Sequence, residues 1–427
     1  MKVRITNGNL LLHTEDGFEV VKQDLYINNG EIVKIGALED AKDYEVFDAK
    51  DKLVMPGLIN MHTHAYMTFL RNYADDVCFD EWLFKRVMPV EDNMPLEAAY
   101  WSSLLGYMEM IQTGTTCFMD MHMYLRQAPK AASEIGIRSY IGRGLVGSDI
   151  YDDEAGVKRF KEAMIELEEY GSDMINIVLS PHAIYSAGPK LYEQVAEEAR
   201  QRNLLVQTHV SETVGEVENC LKEHGKTPVE LLRDLNFLGN NAVLAHCVHP
   251  RGDDMAILKE TGSTIVTNPA SNAKLGNGFA PITELRNAGI NICLGTDGTA
   301  SNNTLNMFRE MGLLTMIHKG IQCDPTAMES SFVIETATTN AAKALGMEGK
   351  LGVVKEGAKA DLIFIDLNET SMFPNNNMVS ALAYSANGSE VKDVMINGKF
   401  VMKDREMLTI DREKVLFEMR RICAENL

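Results

Sequence analysis

The sequence predicts an α/β fold: a (β/α)8, TIM-like barrel carrying a small β-sandwich domain built from both termini. Three observations carry this prediction. Eight apolar runs alternate with helix-patterned segments through the middle of the chain. The two ends are instead rich in short strands. Six of the ten histidines fall where the central runs turn polar.

The ends come first. "DLYINNGEIVKIG" (Asp24–Gly36) and "VMINGKFVMKDRE" (Val394–Glu406) each read as strand, Asn-Gly turn, strand. Asn-Gly between apolar runs is the strongest short hairpin signal. "ADLIFID" (Ala360–Asp366) adds a strand of the same kind. Residues 1–54 and 352–427 are therefore expected to form one composite β domain, with residues 55–351 inserted as the barrel.

The barrel strands follow in order: "LVMPGLINMHTH", "TTCFMDMH", "IRSYIGRGLV", "INIVLSPHAIYS", "NLLVQTHVSET", "NAVLAHCVH", "STIVTNPASN" and "NICLGTDGTAS". Continuous apolar runs mark strands buried on both faces, as in parallel sheets. Between them, "DEAGVKRFKEAMIELEEYG" places Val157, Phe160, Met164 and Leu167 on one helical face. "KLYEQVAEEARQR" and "LNMFREMGLLTMIHKG" behave alike.

Composition narrows the function. The 427 residues carry a formal charge of −20, which opposes binding to nucleic acid or anionic membrane. No run of about eighteen apolar residues suggests a spanning helix, and the start lacks the apolar stretch of a secretory leader. The seven cysteines are scattered without a C-x-x-C, which predicts reduced, buried thiols in a cytoplasmic protein. The 25 methionines read as core filler.

A barrel of this kind bears its active site at the C-terminal strand ends. Those positions hold His62 and His64 on strand 1, Asp120 and His122 on strand 2, and Arg143 on strand 3. His182 follows on strand 4, His209 and Glu212 on strand 5, and His246 on strand 6. Strand 7 offers Asn268 and strand 8 offers Asp297. His62 and His64, two residues apart, point to one face and can reach one ion. His209 and Asp297 complete a set of three His and one Asp, which suits one divalent ion per subunit, Zn2+ best. Such an ion acidifies a bound water. Glu212, three residues past His209, stands where it can move that proton to a substrate. His246 is placed to polarise the water, and Asp297 to orient it as well as to ligate.

Each residue also has a plainer role. Glu212 fits a helix-start carboxylate. Asp120 and His122 suit structure as well as function, and Asn268 suits a turn in "NPASN". His182 fits a turn or a substrate contact. His13, His224, His249 and His318 read as surface or supporting residues. Arg143 fits an internal ion pair, or a substrate oxygen or carboxylate.

"PGLINMHTH", "QTHVSET", "LAHCVH", "NPASNAKLGNG" and "GTDGTASNNTLNMF" resemble the amidohydrolase superfamily, in its nucleoside and heterocycle deaminase branch. The likeness spans the chain and is greatest to the 5-methylthioadenosine/S-adenosylhomocysteine deaminase family. It implies a metal held by His62, His64, His209 and Asp297, with Glu212 as proton shuttle and His246 as polariser. "EWLFKRVMPVEDNM" resembles that family's specificity segment, which implies Glu91 on ribose hydroxyls and Trp82 lining the pocket. The resemblance also implies that Arg143 meets the 5′ substituent and His182 the nucleoside. The reaction implied converts an adenine nucleoside to its inosine analogue plus ammonia. The chain departs from the pattern where some members carry a second arginine for an amino-acid carboxylate. Here Lys158 and Arg159 stand near that place.

The partner expected is thus a small nucleoside, with self-association left open. Guanine deamination or triazine dechlorination on the same site is the alternative reaction. Glu91 and Arg143 weigh against it, since a bare base or triazine has no use for them. A catalytically silent scaffold is the alternative of another class, and six histidines at strand ends weigh against that.

Overall fold

The computed structural model describes residues 1–39 and 41–426. The eight central runs form eight consecutive parallel strands: Leu58–Thr63, Thr115–His122, Arg138–Leu145, Ile175–Pro181, Val206–Val210, Ala242–His246, Thr264–Thr267 and Ile292–Leu294. They are barrel strands 1 to 8 and lie side by side in chain order. Strand 8 continues toward strand 1 through the backbone N–H groups of Thr296 and Asp297, which both donate to the His62 carbonyl. That contact closes the ring and brings the Asp297 backbone beside the His62 backbone.

The intervening helices have the expected faces. Glu154–Tyr170 is capped by Asp153, whose carboxylate accepts from the Gly156 N–H, and it buries Phe160 and Ala163. Pro189–Arg202 and Met307–Gln322 match the other two helical segments. Cys117, Tyr140, Val178, Val243, Val266 and Cys293 come from six strands and form one buried cluster, joined by Ala341, Ala342 and Leu345. Burial of this kind contributes roughly 25 cal/mol per Å2 of apolar surface.

The first apolar run is two strands rather than one. Lys52–Pro56 belongs to a seven-stranded sheet and Leu58–Thr63 to the barrel, with Gly57 between them. Gly57 lies so close to Thr116 that any Cβ would overlap the threonine side chain, so the joint requires glycine.

In the seven-stranded sheet, Lys52–Pro56 pairs antiparallel with Leu362–Asp366 and parallel with Asn9–Thr14. The two ends of the chain thus share a sheet. A four-stranded sheet of N-terminal strands packs on it through Ile5, Ile27, Val54, Leu362 and Phe364. Both Asn-Gly hairpins form, and Asn29, Gly30, Asn397 and Gly398 all have positive φ, as a two-residue type I′ turn demands. The hairpins lie in different sheets, yet their turns touch: Gly30 packs on Asn397 and Gly398. The last helix, Arg412–Asn426, packs against Leu96–Gln112.

One sequence expectation needs correction. Cys78 and Cys323 are exposed, because they lie in surface segments outside the strands; Cys117, Cys220, Cys247 and Cys293 are buried. His318 is buried on the inner face of its helix. Among the described residues, no helix is long and apolar enough to cross a membrane.

Candidate metal centre and active site

The strand ends converge on one cavity of about 590 Å3. His64, His182, His209, Glu212, His246 and Asp297 all line it, as do Trp82, Glu91, Arg143, Lys158 and Arg159. His62 lies behind them, 1% exposed.

Strand geometry explains the convergence only in part. His209 and His246 lie within their strands, whereas His64 follows strand 1 by one residue and opens the short 3-10 helix Ala65–Leu70. Asp297 lies three residues beyond strand 8. Asp297 and His246 both take left-handed backbone, at φ 61° and 75°. Such conformations cost of order 1–3 kcal/mol for residues with a Cβ and persist where the surroundings fix them. Here they turn two side chains toward the barrel axis.

Ligand atoms of His62, His64 and His209 lie within 4.8 Å of one another, and so do those of His62, His246 and Asp297. Asp297 Oδ1 stands 3.6 Å from His62 Nε2 and 3.4 Å from His64 Nε2. The other oxygen, Oδ2, accepts from the hydroxyls of Ser271 at 2.6 Å and Ser301 at 2.8 Å.

The donor set fits a divalent ion. His64 Nδ1 donates to the Met121 carbonyl at 2.8 Å, and His209 Nδ1 donates to the His182 carbonyl at 2.6 Å. A carbonyl only accepts, so both protons sit on Nδ1, and in the neutral rings both Nε2 atoms carry lone pairs. Those atoms face each other at 3.2 Å. Two lone pairs repel, and an electron-pair acceptor resolves the contact. His62 Nε2, buried without any hydrogen-bond partner, offers a third lone pair at the same place. Backbone carbonyls that fix the tautomer of metal-binding imidazoles are a recurrent support of such sites.

The electrostatics agree. Burial brings His62 down to about 4. Burial and the neighbouring imidazoles hold His209 well below its usual value, so it stays neutral and free to ligate. Burial alone would raise Asp297, but the nearby His62 ring and the pull of His64 and His246 hold it well below the carboxylate range.

Glu212 faces the centre without joining it. Its Oε1 accepts from Asn277 Nδ2 at 2.9 Å, and Oε2 lies 3.9 Å from His246 Nε2. Burial raises its pKa, against the pull of His246. Burial lowers that of His246, but Glu212 and Asp297 outweigh this and leave it raised. His246 Nδ1 is 2.8 Å from Asn272 Oδ1, which leaves Nε2 for the cavity. Glu212 is not a helix-start carboxylate. Thr213 caps the helix Val214–His224, and Glu216 occupies its first turn.

The strand 2 pair supports the centre from outside it. Asp120 accepts from the Ala65 N–H at 3.1 Å and the Tyr107 hydroxyl at 2.9 Å, fixing the backbone next to His64. His122 turns away to Glu166, 3.1 Å distant. Asn268 precedes the helix Pro269–Lys274, but its side chain caps nothing and lies 3.5 Å from His246 Nδ1. The expected turn role therefore belongs to its backbone alone.

The remaining cavity wall comes from the segment after strand 1 and from residues at and beyond the ends of strands 2 to 4. Glu81–Val87 winds as a π-helix and passes into the turn Met88–Glu91. Trp82 is buried, and its Nε1 donates to the Ala300 carbonyl at 3.2 Å. Glu91 accepts from the Tyr66 hydroxyl, and its pKa is raised by burial. Arg143 pairs with Glu162 through Nε at 2.8 Å, while its buried Nη1 has no partner. Arg159 donates to the Gly144 carbonyl at 3.0 Å, and its pKa is lowered by burial and by Arg143 nearby. His182 Nδ1 is 2.8 Å from Ser186 Oγ.

Sequence reasoning did not single out Ser271, Ser301, Asn272, Asn277 or Tyr66. The first four lie inside "NPASNAKLGNG" and "GTDGTAS", so the motifs flagged their neighbourhood without assigning their bonds.

Residues 53–401 match the amidohydrolase family model. The chain belongs to the amidohydrolase family. Within it, the chain is 41% identical over 431 residues to the 5-methylthioadenosine/S-adenosylhomocysteine deaminase of Acetivibrio thermocellus, covering 100% of both. It is 43% identical over 406 residues to the protein of that name in Thermococcus sibiricus, covering 94% of each. A solved adenosine deaminase from Xanthomonas campestris with bound zinc superposes with a TM-score of 0.94 at 28% identity, covering 99% of this chain and 98% of that one.

Proposed function

We propose that this protein is a metal-dependent aminohydrolase of adenine nucleosides, 5′-methylthioadenosine and S-adenosylhomocysteine among them. The observation that carries the reading is the pairing of a three-His, one-Asp cluster with Glu212 in one cavity, in a chain whose full-length relatives bear that deaminase name.

His62, His64, His209 and Asp297 would hold one divalent ion, for which Zn2+ suits the nitrogen and carboxylate donors. Bound there, it supplies an acidified water and Lewis-acid polarisation. Glu212 takes up a proton and delivers it to N1 of the adenine ring, its raised pKa suiting both roles. His246 directs Nε2 at the oxygen that develops negative charge. Ser271 and Ser301 fix the Asp297 carboxylate by holding Oδ2, while Oδ1, which also accepts from the Gly298 N–H at 2.7 Å, faces the His62 and His64 rings.

Glu91 accepts from ribose hydroxyls, since an ionised carboxylate offers only acceptors. Trp82 and His182 flank the nucleoside. Arg143 presents its free Nη1 to the 5′ substituent. Of the two cations after strand 3, we assign Arg159 to an amino-acid carboxylate. It is partly buried beside Arg143, whereas Lys158 is exposed.

A panel of adenine nucleosides, guanine and triazines, scored by ammonia release, tests this reading. Adenine nucleosides should be deaminated, guanine and triazines left nearly untouched. Preference for either of the latter would move the chain to another amidohydrolase reaction, and no turnover with any would favour a scaffold.

Arg143→Ala should raise KM for S-adenosylhomocysteine more than for adenosine, by roughly tenfold, the worth of one charge-assisted hydrogen bond of about 1.5 kcal/mol. Equal losses on both substrates would reassign Arg143 to its ion pair with Glu162.

A further inference from the structure

We propose that Glu216 is a positioning residue for the proton shuttle. Its carboxylate holds the backbone that carries Glu212 and so fixes where the Glu212 side chain stands. The inference rests on the reading of Glu212 given above.

Glu216 is 6% exposed. Its Oε1 accepts from the Ser211 N–H at 2.9 Å, and its Oε2 from the Glu212 N–H at 2.8 Å. Both carboxylate oxygens are thereby committed to consecutive peptide groups of one turn. That turn is tight, with Ser211 at φ 49°. Glu216 is itself anchored, since its own N–H donates to the Thr213 hydroxyl at 3.0 Å. Thr213 and Glu216 thus clasp the segment between strand 5 and the helix from both sides.

The arrangement is costly for stability alone. Burial raises the pKa of Glu216 to about 7, and Glu212 nearby adds to this while His246 opposes it. A buried carboxylate without a lysine or arginine is unfavourable. What a carboxylate provides is two acceptors in one plane, matched to two adjacent N–H donors. They pin both peptides, so the Glu212 side chain projects between Asn277 and His246. Proton transfer needs a donor within about 2.6–3.2 Å of its target, and a misplacement of about 1 Å can cost 10²-fold.

The metal-loaded full chain supplies the test, with 5′-methylthioadenosine as substrate. In Glu216→Gln, one carboxylate oxygen becomes an NH2 group aimed at a backbone N–H, which pushes the turn aside. The expected result is a fall in kcat on the order of 10², with KM within about twofold and metal content unchanged. Glu91, Arg143, His182 and the metal-binding side chains lie on other segments or in the strand, which is why those two readouts hold. Glu216→Asp keeps both acceptors but draws them back by one methylene. It should show the same split in smaller degree, and it carries the test if the Gln protein fails to fold.

Unchanged kcat in the folded variant would overturn the proposal. So would a parallel loss of kcat, metal and substrate affinity, which marks a merely structural residue. Failure of the underlying reading shows separately: unsubstituted protein would then not deaminate the nucleoside, or Glu212→Gln would remain active.

Discussion

Glu212→Gln retains its metal and loses turnover by roughly 10²–10⁴-fold, the contribution of a positioned acid–base group. The side chain donates no atom to the His62, His64, His209 cluster or to the His62, His246, Asp297 cluster. Its removal as an acid therefore leaves the ion in place. Glutamine has the same shape, and its carbonyl can still accept from Asn277 as Glu212 Oε1 does at 2.9 Å. What it lacks is a titratable oxygen, so it neither receives a proton from the water nor passes one to N1. Metal per chain by elemental analysis, together with steady-state ammonia release, checks both halves. A near-normal rate in the metal-loaded variant would remove Glu212 from the mechanism.

Arg138→Met lowers stability by about 3–5 kcal/mol, as expected when one partner of a buried ion pair is removed. Arg138 opens barrel strand 3 and Asp361 precedes a sandwich strand, each nearly without exposure. Nε donates to Asp361 Oδ2 at 2.6 Å and one Nη to Oδ1 at 3.1 Å. The other Nη donates to the Asp173 carbonyl at 2.8 Å. The pair thus fastens the barrel to the terminal strands. Without the guanidinium, Asp361 remains buried with the Asn397 N–H at 2.7 Å as its remaining donor. Urea unfolding measures the loss. Because Arg138 lies at the opposite end of its strand from the centre, the folded variant should retain metal and kcat. An unshifted unfolding midpoint would show that the pair contributes nothing net.

The legible part of this protein is the part set by short-range pattern. Alternation of apolar runs and helical faces placed all eight barrel strands. Asn-Gly placed both hairpins, because few other dipeptides take positive φ twice in succession. The clustering of His62, His64, His209 and Asp297 at one end of the barrel was legible because barrel topology assigns chemistry to that end of every strand. Side-chain destinations beyond that were less so. His122 reads like His64 along the chain, yet one meets Glu166 and the other the His62 and His209 rings. The difference lies in a contact with the helix Glu154–Tyr170, not in the strand. The serines on Asp297 and the carboxylate under Glu212 sit in short helices and a turn just past the strand ends, where no periodicity encodes which backbone or side chain they meet. The break at Gly57 was hidden for a related reason: both strands it joins are apolar, so the boundary shows only in the close approach of Thr116.

Deamination is proposed to require one divalent ion, held by His62, His64, His209 and Asp297. The most direct test is ammonia release from 5′-methylthioadenosine before and after exhaustive chelation, with zinc then restored. Release should disappear with the metal and return with about one zinc per chain. Undiminished release from protein shown to be metal-free would contradict it.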